Sequence, residues 1–64
     1  MIRVNGDAQP FVDESVAELL DRLSIETRGV AVAIDGDVVR RSEWSTTRID
    51  DGVVIEIVTA VAGG

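Results

Sequence analysis

Few residue types in this 64-residue chain can do chemistry, and the missing ones narrow the choices first. There is no cysteine and no histidine, and the six basic residues (Arg3, Arg22, Arg28, Arg40, Arg41 and Arg48) leave no lysine. That removes Cys–His and Ser–His nucleophile pairs, zinc sites of the finger type, Schiff-base chemistry and phosphate binding through a P-loop lysine. The acidic pairs Asp50-Asp51 and Asp35/Asp37 sit beside Gly52 and Gly36, where turn formation accounts for them. No third oxygen ligand is spaced as a calcium loop requires. One reactive group is left, the carboxylate of Gly64. The residues before it, Thr59-Ala-Val-Ala-Gly-Gly64, carry no charge and no side chain larger than valine.

Two readings of such an end are open. One is a frayed terminus, since chain ends are commonly loose. The other is a tail built to be inserted. Gly63 and Gly64 have no Cβ, so their backbone can pass a channel that rejects larger residues. What arrives at the far end is a carboxylate, a poor acyl donor because its leaving group is oxide. Transfer to AMP supplies a good leaving group, and a sulfur nucleophile that displaces AMP leaves a thiocarboxylate. With no thiol on the chain, the terminus is the only place where it could carry sulfur. It also lacks a general base, a metal site and a phosphate-cradling loop, so a separate enzyme has to perform the activation.

The elements that position this tail follow from periodicity and turn chemistry. Ile2 and Val4 alternate with Arg3 and Asn5, as in a half-buried strand, and Asn5-Gly6 is a strong hairpin signal. A second strand is expected from Ala8 to Val12, at a sheet edge because Pro10 cannot donate to a ladder. Val16, Leu19, Leu20 and Leu23 form one helical stripe, and Ser15 with Glu18 has the spacing of a capping box. The helix is expected to end near Leu23 or Ser24, with Gly29 as the break. Val30-Ala-Val-Ala-Ile34 is apolar on both faces and reads as a strand covered by the helix on one side and partly covered on the other. Asp35-Gly36 turns it back through Val38-Val39-Arg40. Arg41 to Arg48 has no clean period beyond one short helical turn, and Asp50-Asp51-Gly52 is a tight turn. Val53 to Val58 is the most β-branched stretch and is expected to be central. The order ββαβββ gives an α+β fold, a mixed five-stranded sheet packed on one helix. Residues 1–58 form the domain, and 59–64 a flexible C-terminal tail.

Composition bounds the partners. A chain of this length makes a single, marginal core, which no disulfide can support. Twelve acidic residues against six arginines give a net charge of −6, which argues against nucleic acid and anionic membranes and favours basic protein grooves. Neither a signal peptide nor a run of about 20 apolar residues is seen, so a cytoplasmic location is expected. Trp44 reads as a core-closing residue in preference to an exposed partner anchor. Arg40 and Arg41 read as a solvated pair, with an ion pair to Glu43 or to a partner as the sharper alternative.

Taken together, these residues resemble the ThiS family, the sulfur carriers of thiamin biosynthesis, in the ubiquitin-like β-grasp superfamily. The resemblance covers essentially the whole chain. It rests on Ile2-Arg-Val-Asn-Gly6, Ser15-Val-Ala-Glu-Leu-Leu20, Val30-Ala-Val-Ala-Ile34, Val38-Val-Arg-Arg-Ser-Glu-Trp44, Ile49-Asp-Asp-Gly52 and Val61-Ala-Gly-Gly64. A Gly-Gly end alone is shared with molybdopterin-type carriers and ubiquitin-like modifiers. The short chain and the Val39-Arg-Arg-Ser-Glu-Trp44 stretch look like the thiamin branch. The resemblance implies a β-grasp fold in a carrier that is not itself an enzyme and binds no cofactor. It implies that an E1-like activating enzyme, using ATP and magnesium, adenylates Gly64, and that a sulfur-donor system converts it to the thiocarboxylate. Val61, Ala62 and Gly63 would be the recognised tail, and thiazole synthase would receive the sulfur for the thiazole ring. The alternatives are a carrier for molybdopterin or another sulfur pathway, and a β-grasp binding module with no covalent chemistry, which would tolerate loss of Gly64.

Overall fold

Two turns set the frame. Asn5 and Gly6 have φ of +51° and +87°, and Asp35 and Gly36 have +49° and +88°. Both pairs therefore take the left-handed backbone that a two-residue hairpin turn demands. The computed structural model describes residues 1–59. The first turn joins β1 (Ile2–Val4) to β2 (Asp7–Gln9), and the second joins β3 (Val30–Ile34) to β4 (Asp37–Val39). Helix α1 (Val16–Arg22) lies between the hairpins; a 3-10 turn (Arg41–Glu43) and β5 (Val54–Thr59) follow. The order ββαβββ and the single helix match the expected fold class.

The sheet order is β2-β1-β5-β3-β4, so β5 is central as its β-branched sequence requires. It runs parallel to β1, with Val4 opposite Ile55, and antiparallel to β3, with Val32 opposite Ile57 and Val30 opposite Thr59. The sheet is therefore mixed. Strand β2 is an edge but stops at Gln9, short of the expected Val12, because Pro10 has no N–H to continue the ladder. Strand β5 takes in Thr59, which the sequence reading placed at the start of the tail.

The helix follows its apolar stripe. Val16, Leu19 and Leu20 are fully buried and Leu23 partly so, against Ile2 and Val4 of β1, Val32 of β3 and Ile55 and Ile57 of β5. Each fully buried leucine contributes about 1.5–3 kcal/mol. Trp44 and Ile49, from the irregular segment after β4, close the core. The capping box is complete: the Glu18 amide donates to the Ser15 hydroxyl at 3.1 Å, and the Ser15 amide donates to Glu18 Oε1 at 2.8 Å. The Ser15 amide first, then its side chain, and more weakly Arg48, hold the Glu18 carboxyl below its ordinary value. The two amides before Glu18 are satisfied from the same irregular segment, Val16 by Thr47 O at 2.9 Å and Ala17 by Trp44 O at 3.0 Å. No free anion site is left at this helix start. The helix ends at Arg22 with Leu23 as its C-cap, as expected, and Ser24, with a φ of +57°, reverses the chain five residues before Gly29. No helix among the described residues is long and apolar enough to cross a membrane.

Candidate functional site

The four residues singled out for tail chemistry, Val61, Ala62, Gly63 and Gly64, lie outside the described residues. What the structure places is the base from which they depart. Strand β5 reaches that base in the middle of the sheet, with Thr59 opposite Val30 at the start of β3. On its other side, β1 pairs only as far as Val4, opposite Ile55, and the Asn5 amide then donates to Ile55 O at 2.9 Å. Past that point the Asn5 side chain takes over. Its Oδ1 accepts from the Ile57 amide at 2.8 Å, and its Nδ2 donates to Ile57 O at 3.1 Å.

The segment after β4 is fastened at the same end of the sheet. Trp44 is buried, and its Nε1–H donates to Val39 O at 3.0 Å, so the core-closing reading holds for the ring. Arg41 lies over that ring, 4.7 Å from its centroid, and donates to Thr27 O in the loop that leads into β3. The expected solvated pair is therefore corrected for Arg41. Its guanidinium ties the 3-10 turn to the loop beside the departing strand. Asp51 lies in the turn before β5 and takes the Met1 ammonium, and Gly52 there has a φ of +90°.

The face of the sheet away from the helix is open. Ala31 on β3 and Val58 on β5 are opposite one another, as are Ala33 on β3 and both Val38 on β4 and Glu56 on β5. These side chains line a shallow concavity that is mostly apolar, with Val38 75% and Val58 61% exposed. Partial cover was expected on this side of β3. Ala33 is half-buried there, as expected, whereas Ala31 is exposed, since alanine is small enough to leave in water. Among the described residues no group of three or more acidic side chains converges as a metal site would need. The arrangement is a platform from whose central strand the chain departs at Thr59, with an apolar face beside it.

Two parts of this platform escaped the sequence reading. Asn5 was visible only as a turn former, and nothing local marks a partner 52 residues away. Nothing in the sequence around Glu14 marks it for burial, yet it is 6% exposed and held by Arg22 in a forked pair with contacts of 3.1, 3.1 and 2.7 Å.

Comparison with known proteins points the same way as the geometry. The family model of the ThiS family matches residues 2–64. The chain is 30% identical over 64 residues to the sulfur carrier protein ThiS of Thermus thermophilus, an alignment covering the whole of both chains. It is 32% identical over 62 residues to a thiazole synthase of Paramagnetospirillum magneticum, which takes in 95% of this chain and 19% of that protein. The crystal structure of a thiamine biosynthesis protein (ThiS) from Geobacter metallireducens superposes with a TM-score of 0.80 at 28% identity. That match covers 98% of this chain and 97% of the other.

Proposed function

This chain belongs to the ThiS family, and on that premise we propose that it carries sulfur as a thiocarboxylate on Gly64 for assembly of the thiazole ring of thiamin. In the first step a carboxylate oxygen of Gly64 attacks the α-phosphorus of ATP and pyrophosphate leaves. The product is an acyl-adenylate. In the second, a sulfur nucleophile attacks the acyl carbon, AMP leaves, and one oxygen of the terminus has been replaced by sulfur. The described residues contain no cysteine, histidine or lysine. Both steps therefore belong to partners: an E1-like activating enzyme that uses ATP and magnesium, and a sulfur-donor system. The chain is their co-substrate and then that of thiazole synthase. Chemistry that consumes ATP in this way belongs in the cytoplasm.

The observation that carries this reading is the family match through residue 64, which takes in the Gly-Gly end along with the folded domain. The matched segment within a thiazole synthase polypeptide supports the thiazole branch over other sulfur pathways. Val61, Ala62 and Gly63 form the inserted tail, and Gly63 has no Cβ to obstruct a narrow entry. Deleting Gly64 tests the proposal. The truncated chain is expected to unfold in urea as the intact one does and to support no ATP–pyrophosphate exchange by its activating enzyme. Normal exchange by the truncated chain would contradict the carrier reading and favour a non-covalent binding module.

A further inference from the structure

We propose that Asn5 is a positioning residue for the reactive tail, its side-chain amide standing in for a missing rung of β1 and fixing the direction in which β5 leaves the sheet. What the tail is for rests on the carrier reading; that Asn5 directs it rests on the geometry. The backbone of β1 cannot hold β5 beyond Ile55, because Asn5 and Gly6 take positive φ and turn the chain into β2. The Asn5 amide group bridges the gap. It accepts from the Ile57 N–H at 2.8 Å and donates to the Ile57 carbonyl at 3.1 Å, the donor and acceptor pair that a neighbouring backbone would have offered. Both bonds are partly buried, so water competes weakly for them.

Ile57 is therefore the last described residue of β5 held from both sides. Val58 and Thr59 are paired with β3 alone, through Ala31 and Val30. Seven residues lie from Val58 to Gly64, a length of chain that reaches at most about 25 Å. Losing the Asn5 bonds leaves β5 held on one side from Ile57 onward, so the point from which those residues depart is no longer fixed. Active-site geometry is demanding, since a misplacement of about 1 Å can cost about a hundredfold in rate. Few side chains can fill the role. Aspartate keeps the left-handed turn and one acceptor but has no donor for the Ile57 carbonyl. Glycine keeps the turn and loses both bonds.

The test compares the intact wild-type chain with Asn5→Gly and Asn5→Asp. Urea unfolding first establishes that each variant is folded. Hydrogen exchange read by NMR is then expected to be about tenfold faster at the Ile57 amide in Asn5→Gly, the loss of one hydrogen bond. Asn5→Asp, which keeps the acceptor, is expected to fall between. With the cognate activating enzyme, ATP–pyrophosphate exchange by Asn5→Gly is expected to lose about tenfold or more in kcat. Its KM for the chain should stay within about twofold, because the docking surface is unchanged. A purely structural role does the opposite. It leaves kcat alone and raises apparent KM by depleting the folded form. Unchanged exchange at Ile57, or faster exchange with unchanged kcat, overturns the inference. A wild-type chain that supports no pyrophosphate exchange contradicts instead the carrier reading on which the inference rests.

Discussion

Replacing Arg22 by methionine keeps most of the apolar stem and removes the guanidinium that clamps Glu14. Among the described residues Arg22 alone donates to that carboxylate, through Nε at 3.1 Å to each oxygen and through the terminal nitrogen at 2.7 Å. Stranding a fully buried carboxylate costs about 3–5 kcal/mol. The Arg22 side chain is 36% exposed, so water enters where the guanidinium was and lowers the cost. A loss of about 2–3 kcal/mol follows, within the range of charge-assisted hydrogen bonds. Total stability for 64 residues is about 3–10 kcal/mol, so this is a large fraction of it. At a urea dependence of about 1 kcal/mol per molar, the midpoint falls by about 2–3 M. Urea unfolding followed by the fluorescence of Trp44, the sole tryptophan, reads it directly. The double variant Glu14→Leu/Arg22→Met removes charge and counter-charge together and is expected within about 1 kcal/mol of wild type. An Arg22→Met chain within about 0.5 kcal/mol of wild type, or a double variant less stable than the single one, refutes the reasoning.

Three further outcomes are expected. Trp44→Phe removes the 3.0 Å bond to Val39 O and weakens the stacking of Arg41; a loss of about 1–1.5 kcal/mol should appear in thermal unfolding by circular dichroism. Gly36→Ala adds a Cβ that meets nothing within 4 Å, so the positive φ of 88° alone sets its effect. That is about 1–2 kcal/mol, and an alanine variant as stable as wild type contradicts it. The Glu18 carboxyl titrates below its ordinary value in the folded chain, held by Ser15. Its contribution is therefore full above the unfolded-state value and is lost as pH falls through the folded one. The stability advantage of wild type over Glu18→Gln should be present at pH 7 and vanish in acid, and an advantage that grows in acid has the wrong sign.

Much of the fold was legible because it rests on local chemistry. Asn5-Gly6 and Asp35-Gly36 announce their turns since few residues accept positive φ. Ser15 and Glu18 announce a helix start because both halves of the capping box lie within four residues. The central place of β5 follows from its run of β-branched residues. What escaped depends on residues far apart in sequence. The amide bridge from Asn5 to Ile57 and the forked pair of Arg22 with Glu14 exist only once the chain is folded. The same holds for the Thr47 and Trp44 carbonyls that cap the helix. The end of the helix was legible to within a residue, but the left-handed backbone of Ser24, which a serine does not advertise, was not. The tail was read from residue types alone. Its chemistry was suggested by what the rest of the chain lacks and by the absence of side chains at Gly63 and Gly64.

The mass of the intact chain, isolated from its own host, tests the central claim most directly. Replacing one terminal oxygen by sulfur adds about 16 Da, and fragmentation should place that increment on Gly64. The account predicts such a species, lost when the activating enzyme is deleted and accumulated when thiazole synthase is deleted. A chain that never carries the increment under thiamin limitation, or carries it anywhere other than Gly64, contradicts the account.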